Sequence, residues 1–444
     1  MFKIFIRYRS NLKTMVNWLF IPRRLKLTMG NAFQNLMIGK SHSIHKDPRV
    51  NTLDELYPNS VNLSFKNLYY IDGQILNSPD FNRGIGRFTV LFAINLAKRN
   101  PKSNFRILFT NQRFPNRISD VLQVIESNRL QNLQIQIFDI FLGNNETSLI
   151  SASTELSRQL ELIKPKAVIV PSFFNDETQV IPFEVSKSIK SVGILHDLIP
   201  LQYPKYYLPT KHLKNRYLEQ LQRLKSSDVI LSVSRKSLDE FDSRETCRGE
   251  KVVIGGASTL EFNRPKTTFD ERAGILCVGG SGKSKNIYRL VYGNSKIPRT
   301  LRLQHPLLIV GILNSKDRIQ LRLLSLCVRA NAKILGYVST EELQNYFTRS
   351  RILVVPSLAE GLSLPVYEMW THGGVAIGGL GTALEETIGD TKMLFNPMNF
   401  QGYVDLVSDL LQNKHLWEKE QKRSSELMKK RNWDNVAGIA EKYL

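Results

Sequence analysis

The 444-residue chain has few cysteines, no long apolar run and no internal repeat. Its cysteines are far apart and form no CxxC pair or Cys/His cluster, which excludes a disulfide framework or a zinc module and is typical of a reduced intracellular protein: Cys247, Cys277 and Cys327. No window reaches about 18 consecutive apolar residues, so we expect no membrane-spanning helix. The absence of repeats and low-complexity tracts excludes solenoid and fibrous architectures.

Acidic residues are too few to balance the basic ones, since 61 Lys and Arg face 40 Asp and Glu and give a formal net charge of +21. The first fifty residues contain ten basic residues and one acid, Asp47. The apolar stretch 16–21 in this segment is too short to span a bilayer, and no small-residue cleavage site follows it cleanly. We expect residues 1–62 to form a basic extension that contacts an anionic membrane surface. The alternative is an unstructured leader without a membrane role.

Beyond residue 60, short and almost wholly apolar runs alternate with helical periods. Runs such as 167–170, 191–195 and 307–310 are typical of parallel strands that helices cover on both faces. Turn-forming residues without an apolar period occupy 255–272 and predict a linker. The sequence therefore predicts an α/β fold of two doubly wound Rossmann-like domains that face a cleft. The predicted parts are the extension, two domains at 63–258 and 270–425, and a carboxyl-terminal helix at 426–444 that packs back on the first domain.

Chemistry is expected in the strand-to-helix loops, because ligands of doubly wound sheets bind at the carboxyl ends of the strands. The loop after the apolar run 353–355 leads to two carboxylates, Glu360 and Glu368, with seven residues between them. Pro365 suits the first turn of a helix, whose N–H groups around 361–364 would favour a phosphate. Glu368 could then accept hydrogen bonds from two vicinal hydroxyls. Considered without its neighbours, Glu368 is explained better as a carboxylate near a helix start that complements the positive end of the helix dipole.

A second loop, 277–286 (CVGGSGKSKN), is one residue away from a phosphate-loop NTPase pattern. Cys277 stands where that pattern needs a glycine, and the predicted strand 307–310 does not end in an aspartate. Both departures argue against an NTPase.

Several motifs together resemble family 4 glycosyltransferases of the two-Rossmann-domain type. The run PSLAEGLSLPVYEMWTHGG at 356–374 resembles the two-glutamate motif of that family. The segments FNRGIGRF at 81–88 and HDLIPL at 196–201 resemble its amino-terminal signatures, especially those of O-antigen mannosyltransferase-like members. Further segments resemble motifs of the family and occur in the same order as in the family: 335–343, 384–386, 389–390 and 395–397. The resemblance spans about residues 68–440.

The resemblance implies a retaining transfer of a hexose from a nucleotide-diphosphate sugar to a glycan or lipid-linked acceptor. It places the reaction in polysaccharide or lipopolysaccharide biosynthesis, without a metal or other cofactor. The basic charge, rather than the resemblance, predicts a cytoplasmic protein that lies peripherally on the inner face of the cytoplasmic membrane. The residues that the resemblance assigns near the reaction centre are His196, Asp197 and Glu360. Those it assigns to the donor are Arg83, Gly84, Gly86, Lys283, Lys285, Gly361, Leu362, Ser363, Leu364 and Glu368. Among them, Glu368 would bind the ribose and Lys285 the leaving diphosphate.

Three departures from the family pattern leave an altered or inactive member as an alternative. Ser284 stands where a basic residue commonly precedes the lysine, and Lys283 is a substitute from a nearby position. Leu362-Ser363 replaces Phe-Gly, and Glu385 replaces a proline. GDP-mannose is the preferred donor, and UDP-glucose or another UDP sugar is the alternative.

The net positive charge has a competing interpretation from another class of protein, namely that the chain is a basic nucleic-acid-binding protein. The sequence has no helix-turn-helix, RRM or zinc pattern, and we expect no nucleic-acid partner. A second concentration of basic residues at 205–225 would form one basic face together with the extension. Binding to lipid explains this arrangement better than binding to DNA.

Overall fold

The computed structural model describes residues 67–77, 84–111, 115–141, 146–174, 180–258 and 267–444. The predicted basic extension lies outside these residues and stays a prediction. None of the described helices combines the length and the apolar character that crossing a bilayer requires.

The strands form two fully parallel sheets. The first sheet contains β1 (Leu68–Asp72), β2 (Asn104–Asn111), β3 (Leu133–Phe141), β4 (Ala167–Val170), β5 (Lys190–Leu195), β6 (Val229–Ser232) and β7 (Glu250–Val253). The second contains β8 (Ile275–Val278), β9 (Leu307–Val310), β10 (Ala332–Gly336), β11 (Ile352–Val355), β12 (Val375–Gly379) and β13 (Leu394–Phe395). The strand orders are β3-β2-β1-β4-β5-β6-β7 and β10-β9-β8-β11-β12-β13.

Helices connect the strands and cover both sheets. Those of the first half are α1 (Gly84–Arg99), α2 (Pro115–Ser127), α3 (Glu146–Ile163), α4 (Ile199–Gln202), α5 (Pro204–Tyr207), α6 (Lys211–Lys225) and α7 (Arg235–Arg244). Those of the second half are α8 (Ile287–Asn294), α9 (Arg299–Gln304), α10 (Ser315–Cys327), α11 (Thr340–Arg349), α12 (Leu364–Thr371), α13 (Leu384–Ile388), α14 (Phe400–Gln412), α15 (Lys414–Lys430) and α16 (Trp433–Ala440). The predicted α/β class with two doubly wound sheets is confirmed.

Central strands are apolar because both of their faces are covered. Every residue of β4, β6 and β11 is buried, as parallel strands between helix layers require. The sequence did not predict β3, β7 and β13, which lie at or near the sheet edges. From Gln136 to Ile140 in β3, buried residues alternate with partly or fully exposed ones, and β13 has only two residues.

The two sheets have separate apolar cores, one on each side of the predicted linker. The core of the first half includes side chains of β1, β2 and α1. It also includes Val436, Ala437 and Ala440 of α16, although this helix follows the second half in sequence. Trp433 at the start of α16 donates its indole N–H to the carbonyl of Ser258 at 2.7 Å. The chain thus returns to the first half at its carboxyl-terminal end.

Candidate active site

The strand order reverses between β8 and β11, so the loops that follow these two strands lie side by side. They are joined by a hydrogen bond of 2.7 Å from the Leu358 N–H to the Ser284 carbonyl. The side-chain amide of Asn286 donates to the carbonyls of Pro356 and Pro397, at 3.0 and 2.8 Å. Asn286 adopts a left-handed backbone conformation with φ of 56°. The two loops that the sequence analysis singled out therefore form one structure.

Lys285 and Glu360, one from each loop, form an ion pair at this edge of the sheet. The Nζ atom lies 3.0 Å from Oε1 and 2.9 Å from Oε2 of Glu360. Only 9% of the Glu360 side chain and 34% of the Lys285 side chain are exposed. Burial alone would lower the pKa of Lys285, but the adjacent Glu360 carboxylate raises it above its ordinary value. Lys285 is therefore a cation at neutral pH.

Glu368 lies within α12, the helix whose start the sequence placed near Pro365. Pro365 occupies the first turn of α12, and Ser363 precedes the helix without capping it through its side chain. The Glu368 side chain is 1% exposed, and its Oε1 accepts a hydrogen bond of 2.6 Å from Nη2 of Arg87 in α1. A buried carboxylate is thus paired with a cation from the other half of the molecule.

His196 and Asp197 follow β5 at the carboxyl edge of the first sheet. The His196 Nε2 lies 2.9 Å from the Pro171 carbonyl, which can only accept, so this nitrogen carries the proton. Burial lowers the pKa of His196 to about 4, and the ring is neutral with Nδ1 as an acceptor. Burial, together with the negative charges of Glu360 and Glu240, raises the pKa of Asp197 to about 6. A Cβ atom on Gly361 would lie 2.8 Å from the Asp197 Cβ, so Asp197 lies beside the loop that contains Glu360.

Close contacts bring the two halves together around these residues. A Cβ atom on Gly361 would lie 2.1 Å from the carbonyl oxygen of His196, so only glycine permits this approach. The hydroxyl of Tyr207, in α5, lies 2.8 Å from the Ser284 hydroxyl. A Cβ on Gly84 would be 3.3 Å from the Leu364 side chain, which places the start of α1 against the start of α12.

The remaining residues assigned to the donor have different surroundings. Gly86 and Ser363 are buried, Leu362 packs against the cores of both halves, and Lys283 is exposed. Arg83 lies outside the described residues. Within the described chain, no group of three or more His, Cys, Asp or Glu side chains is placed to bind a metal ion.

Arg87 and Glu386 make contacts that the sequence analysis did not foresee. Arg87 belongs to the quoted run 81–88, but its partner Glu368 is 281 positions away. Glu386 accepts hydrogen bonds from the backbone N–H groups of Arg235 and Lys236, at 2.9 and 3.0 Å. Neither residue has a local sequence signal that reveals its partner, because both contacts join the two halves.

Comparison with known proteins identifies relatives of the chain. The glycosyl transferases group 1 family matches residues 260–431. The serotype-specific mannosyltransferase WbdA of Escherichia coli is 24% identical over 395 residues, which cover 83% of this chain and 47% of WbdA. The O-antigen chain mannosyltransferase B of Escherichia coli is 24% identical over 261 residues, which cover 55% of this chain and 68% of that protein. This chain thus spans about half the length of WbdA.

Solved structures share the fold at low sequence identity. The lipopolysaccharide outer core galactosyltransferase WaaB has a TM-score of 0.60 and 13% identity, covering 85% of this chain and 100% of WaaB. Anabaena HepE in complex with UDP and glucose has a TM-score of 0.61 and 11% identity, covering 85% of this chain and 98% of HepE. The resemblance to family 4 glycosyltransferases and their O-antigen mannosyltransferase-like members is confirmed: residues 260–431 match the glycosyl transferases group 1 family, the curated relatives are mannosyltransferases, and the chain has the GT-B fold of the solved structures.

Proposed function

We propose that the protein transfers a hexose, preferably mannose, from a nucleotide-diphosphate sugar to a glycan or lipid-linked acceptor, in polysaccharide or lipopolysaccharide biosynthesis. The observation that carries this proposal is the Lys285–Glu360 pair where the strand order reverses, with Glu360 in the loop that leads directly into the helix containing the buried Glu368. A cation, two buried or nearly buried carboxylates and a helix start suit a ligand that combines hydroxyl groups with phosphates. The mannosyltransferase relatives support the choice of sugar.

Each residue has a role that its surroundings permit. Glu368 accepts hydrogen bonds from the ribose hydroxyls, and Glu360 accepts them from the transferred sugar. Lys285 and the start of α12 stabilise the negative charge that develops on the departing diphosphate. The neutral ring of His196 offers Nδ1 as an acceptor for a sugar hydroxyl, and Asp197 lies beside the same part of the cleft.

The reaction proceeds on one face of the sugar and retains the anomeric configuration. The bond from the anomeric carbon to the diphosphate oxygen breaks while the acceptor oxygen bonds to the same face of that carbon. The acceptor proton passes to the leaving phosphate oxygen, so the products are a glycoside and a nucleoside diphosphate. No protein nucleophile and no metal is required, and we expect turnover to persist in the presence of EDTA.

A thermal-shift panel of nucleoside diphosphates and their sugars tests the proposal. We expect one nucleotide to raise the unfolding temperature of the wild type, and Glu368→Ala to lose most of that shift because the ribose acceptor is removed. GDP and GDP-mannose are the expected ligands; a response to UDP and a UDP sugar alone would select the alternative donor. Absence of any shift in the wild type, with Glu368→Ala equally silent, would overturn the enzymatic function.

Peripheral binding to the inner face of the cytoplasmic membrane is proposed for the same protein. Lys205, Lys211 and Lys214 are exposed on α5 and α6, next to the loop of His196. Exposed lysines together with a basic extension favour anionic lipid. We expect the full chain to float with vesicles that contain phosphatidylglycerol and not with neutral phosphatidylcholine vesicles, and deletion of residues 1–62 to weaken flotation. Equal flotation with both vesicles, together with a strong DNA shift that falls with salt, would instead favour the nucleic-acid interpretation.

A further inference from the structure

We propose that Arg87 binds the diphosphate of the donor while its Nη2 remains on Glu368. One guanidinium would then join the ribose-binding carboxylate to the phosphate groups. This inference rests on the proposed function and adds a donor contact from the amino-terminal half of the molecule.

The position of Arg87 follows from the packing of two helix starts. Arg87 is the fourth residue of α1, and Gly84 at the start of that helix lies against Leu364 at the start of α12. The start of α12 favours an anion, and Glu368 lies one turn inside the same helix. In a nucleoside diphosphate the phosphates are attached directly to the ribose. If the Glu368 carboxylate binds the ribose, the guanidinium bonded to that carboxylate is therefore close to the attached diphosphate.

The guanidinium retains donors for a second partner. Arginine has five N–H donors in a planar fork, and the bond to Glu368 uses Nη2. Among the described residues, no other acceptor forms a hydrogen bond with the Arg87 side chain. The Arg87 side chain is 28% exposed while Glu368 is 1% exposed, so the guanidinium lies on the open side of the pair. Arginine suits this bridging position because its fork can bind a carboxylate and a phosphate at once.

The ion pairs on the two carboxylates also favour a diphosphate ligand. Lys285 pairs with Glu360 and Arg87 pairs with Glu368, so a cation beside each carboxylate offsets negative charge that would repel a diphosphate. Ser284, where a second basic residue was expected, is buried with its hydroxyl on Tyr207. Lys283, in the same short 3₁₀ helix, is exposed. Arg87 thus supplies from α1 the charge that the loop after β8 does not supply.

The test compares the binding of GDP and UDP with that of guanosine and uridine, by calorimetry for the diphosphates and NMR titration for the nucleosides. Arg87→Met is expected to weaken diphosphate binding by about 10- to 100-fold, which corresponds to a charge-assisted hydrogen bond, and to leave nucleoside binding unchanged. Arg87→Lys keeps the charge but loses the planar fork of donors, so its diphosphate affinity is expected to lie between those of the wild type and Arg87→Met. Lys98→Met, at an exposed position of the same helix, is the control and should bind like the wild type.

Three results would overturn the inference while leaving the proposed function intact, provided that the wild type binds a diphosphate. Unchanged diphosphate affinity in Arg87→Met would remove Arg87 from the donor site. An equal loss for diphosphates and nucleosides would mean that Arg87 only orients Glu368. Tighter binding of both would mean that Arg87 competes with the ribose for Glu368. A wild type that binds none of the four ligands would overturn the proposed function, and this inference with it.

Discussion

Burial shifts the pKa values of the neighbouring residues His196 and Asp197 in opposite directions. It lowers the pKa of His196 to about 4 and raises that of Asp197 to about 6, because in each case it disfavours the charged form. At neutral pH the cleft therefore presents a neutral imidazole next to an ionised carboxylate. The negative charge of Asp197 is lost as the pH falls through about 6, which changes the field around Lys285 and Glu360.

Replacing Lys285 tests the electrostatic part of the proposed mechanism. We expect Lys285→Ala to reduce the rate of sugar transfer by about 100- to 1,000-fold, because one preorganised group that stabilises the leaving diphosphate is removed. Turnover measured with the donor that the thermal-shift panel selects is the readout. The control is Lys419→Ala, which removes an exposed lysine of α15 and should retain the wild-type rate. Wild-type turnover in Lys285→Ala would contradict the role of this residue.

Asp72, at the carboxyl end of β1, predicts a pH dependence of stability. Burial raises its pKa from 3.8 to about 7, and the hydrogen bonds from Gln74 offset only part of that effect. Between these values the folded protein keeps a proton that the unfolded chain releases, so stability falls as the pH rises, by up to about 1.4 kcal/mol per pH unit. Asp72→Asn keeps the acceptor oxygen but cannot ionise, so it should lose this slope.

Urea unfolding of the wild type and Asp72→Asn, at several values between about pH 5 and 8, measures this effect. The asparagine variant should gain stability over the wild type as the pH rises toward about 7, and the difference should level off above that value. Parallel pH profiles for the two proteins would show that Asp72 does not keep its proton in the folded state.

The start of α7 shows how an element of one half is completed by the other. The N–H of Ser237 is bonded to the side chain of Ser234, which is the N-cap residue of α7. The preceding N–H groups, those of Arg235 and Lys236, are bonded to the carboxylate of Glu386 in α13. Helices leave their first N–H groups without internal partners, so a carboxylate at this end both accepts hydrogen bonds and complements the dipole. α7 is therefore capped from both halves.

Removing this carboxylate should weaken the contact between the halves. We expect Glu386→Ala to lower the free energy of unfolding by about 1 kcal/mol, a typical value for the loss of a helix cap. Glu386→Gln keeps one acceptor oxygen and should lie between Glu386→Ala and the wild type. Glu418→Ala, an exposed glutamate of α15, is the control in the same denaturation series. A Glu386→Ala variant as stable as the control would mean that water replaces the cap without loss.

At the scale of the whole molecule, α16 ties the end of the chain to the first half. Its apolar side chains enter the core that contains β1, β2 and α1, while its polar side meets Arg99 of α1. Arg99 pairs with Asp434 at 2.7 Å and with Glu441 at 2.8 Å. Buried apolar contacts contribute more to stability than ion pairs in contact with solvent, so the apolar side of α16 should dominate.

Two substitutions separate these contributions. Val436 is 2% exposed, and we expect Val436→Ala to lower the free energy of unfolding by about 2 kcal/mol, since it removes two buried methyl groups. Arg99→Ala should have a clearly smaller effect. Thermal denaturation of both variants beside the wild type provides the comparison. A larger loss for Arg99→Ala would show that charges rather than burial attach α16.

The sequence by itself determined the architecture and the loops of the candidate site. Short apolar runs such as β4 and β11 predict buried parallel strands, because only covered strands lack polar alternation. Pro365 predicts the start of α12 through its fixed backbone angle and missing N–H. These signals are local, and the carboxyl ends of parallel strands are where ligands bind in any doubly wound sheet. Glu360 and Lys285 could therefore be assigned to one edge of the second sheet.

The tertiary structure decided which groups of the two halves meet. The pairs Arg87–Glu368 and Tyr207–Ser284 join residues that no periodicity or spacing connects. The close approach of Gly361 to His196 likewise depends on how the two sheets are placed against each other. Edge strand β3 was missed because its alternating pattern differs from that of the covered central strands. Local sequence sets each element and its loop, but contacts across a cleft arise only when two separately folded cores are packed together.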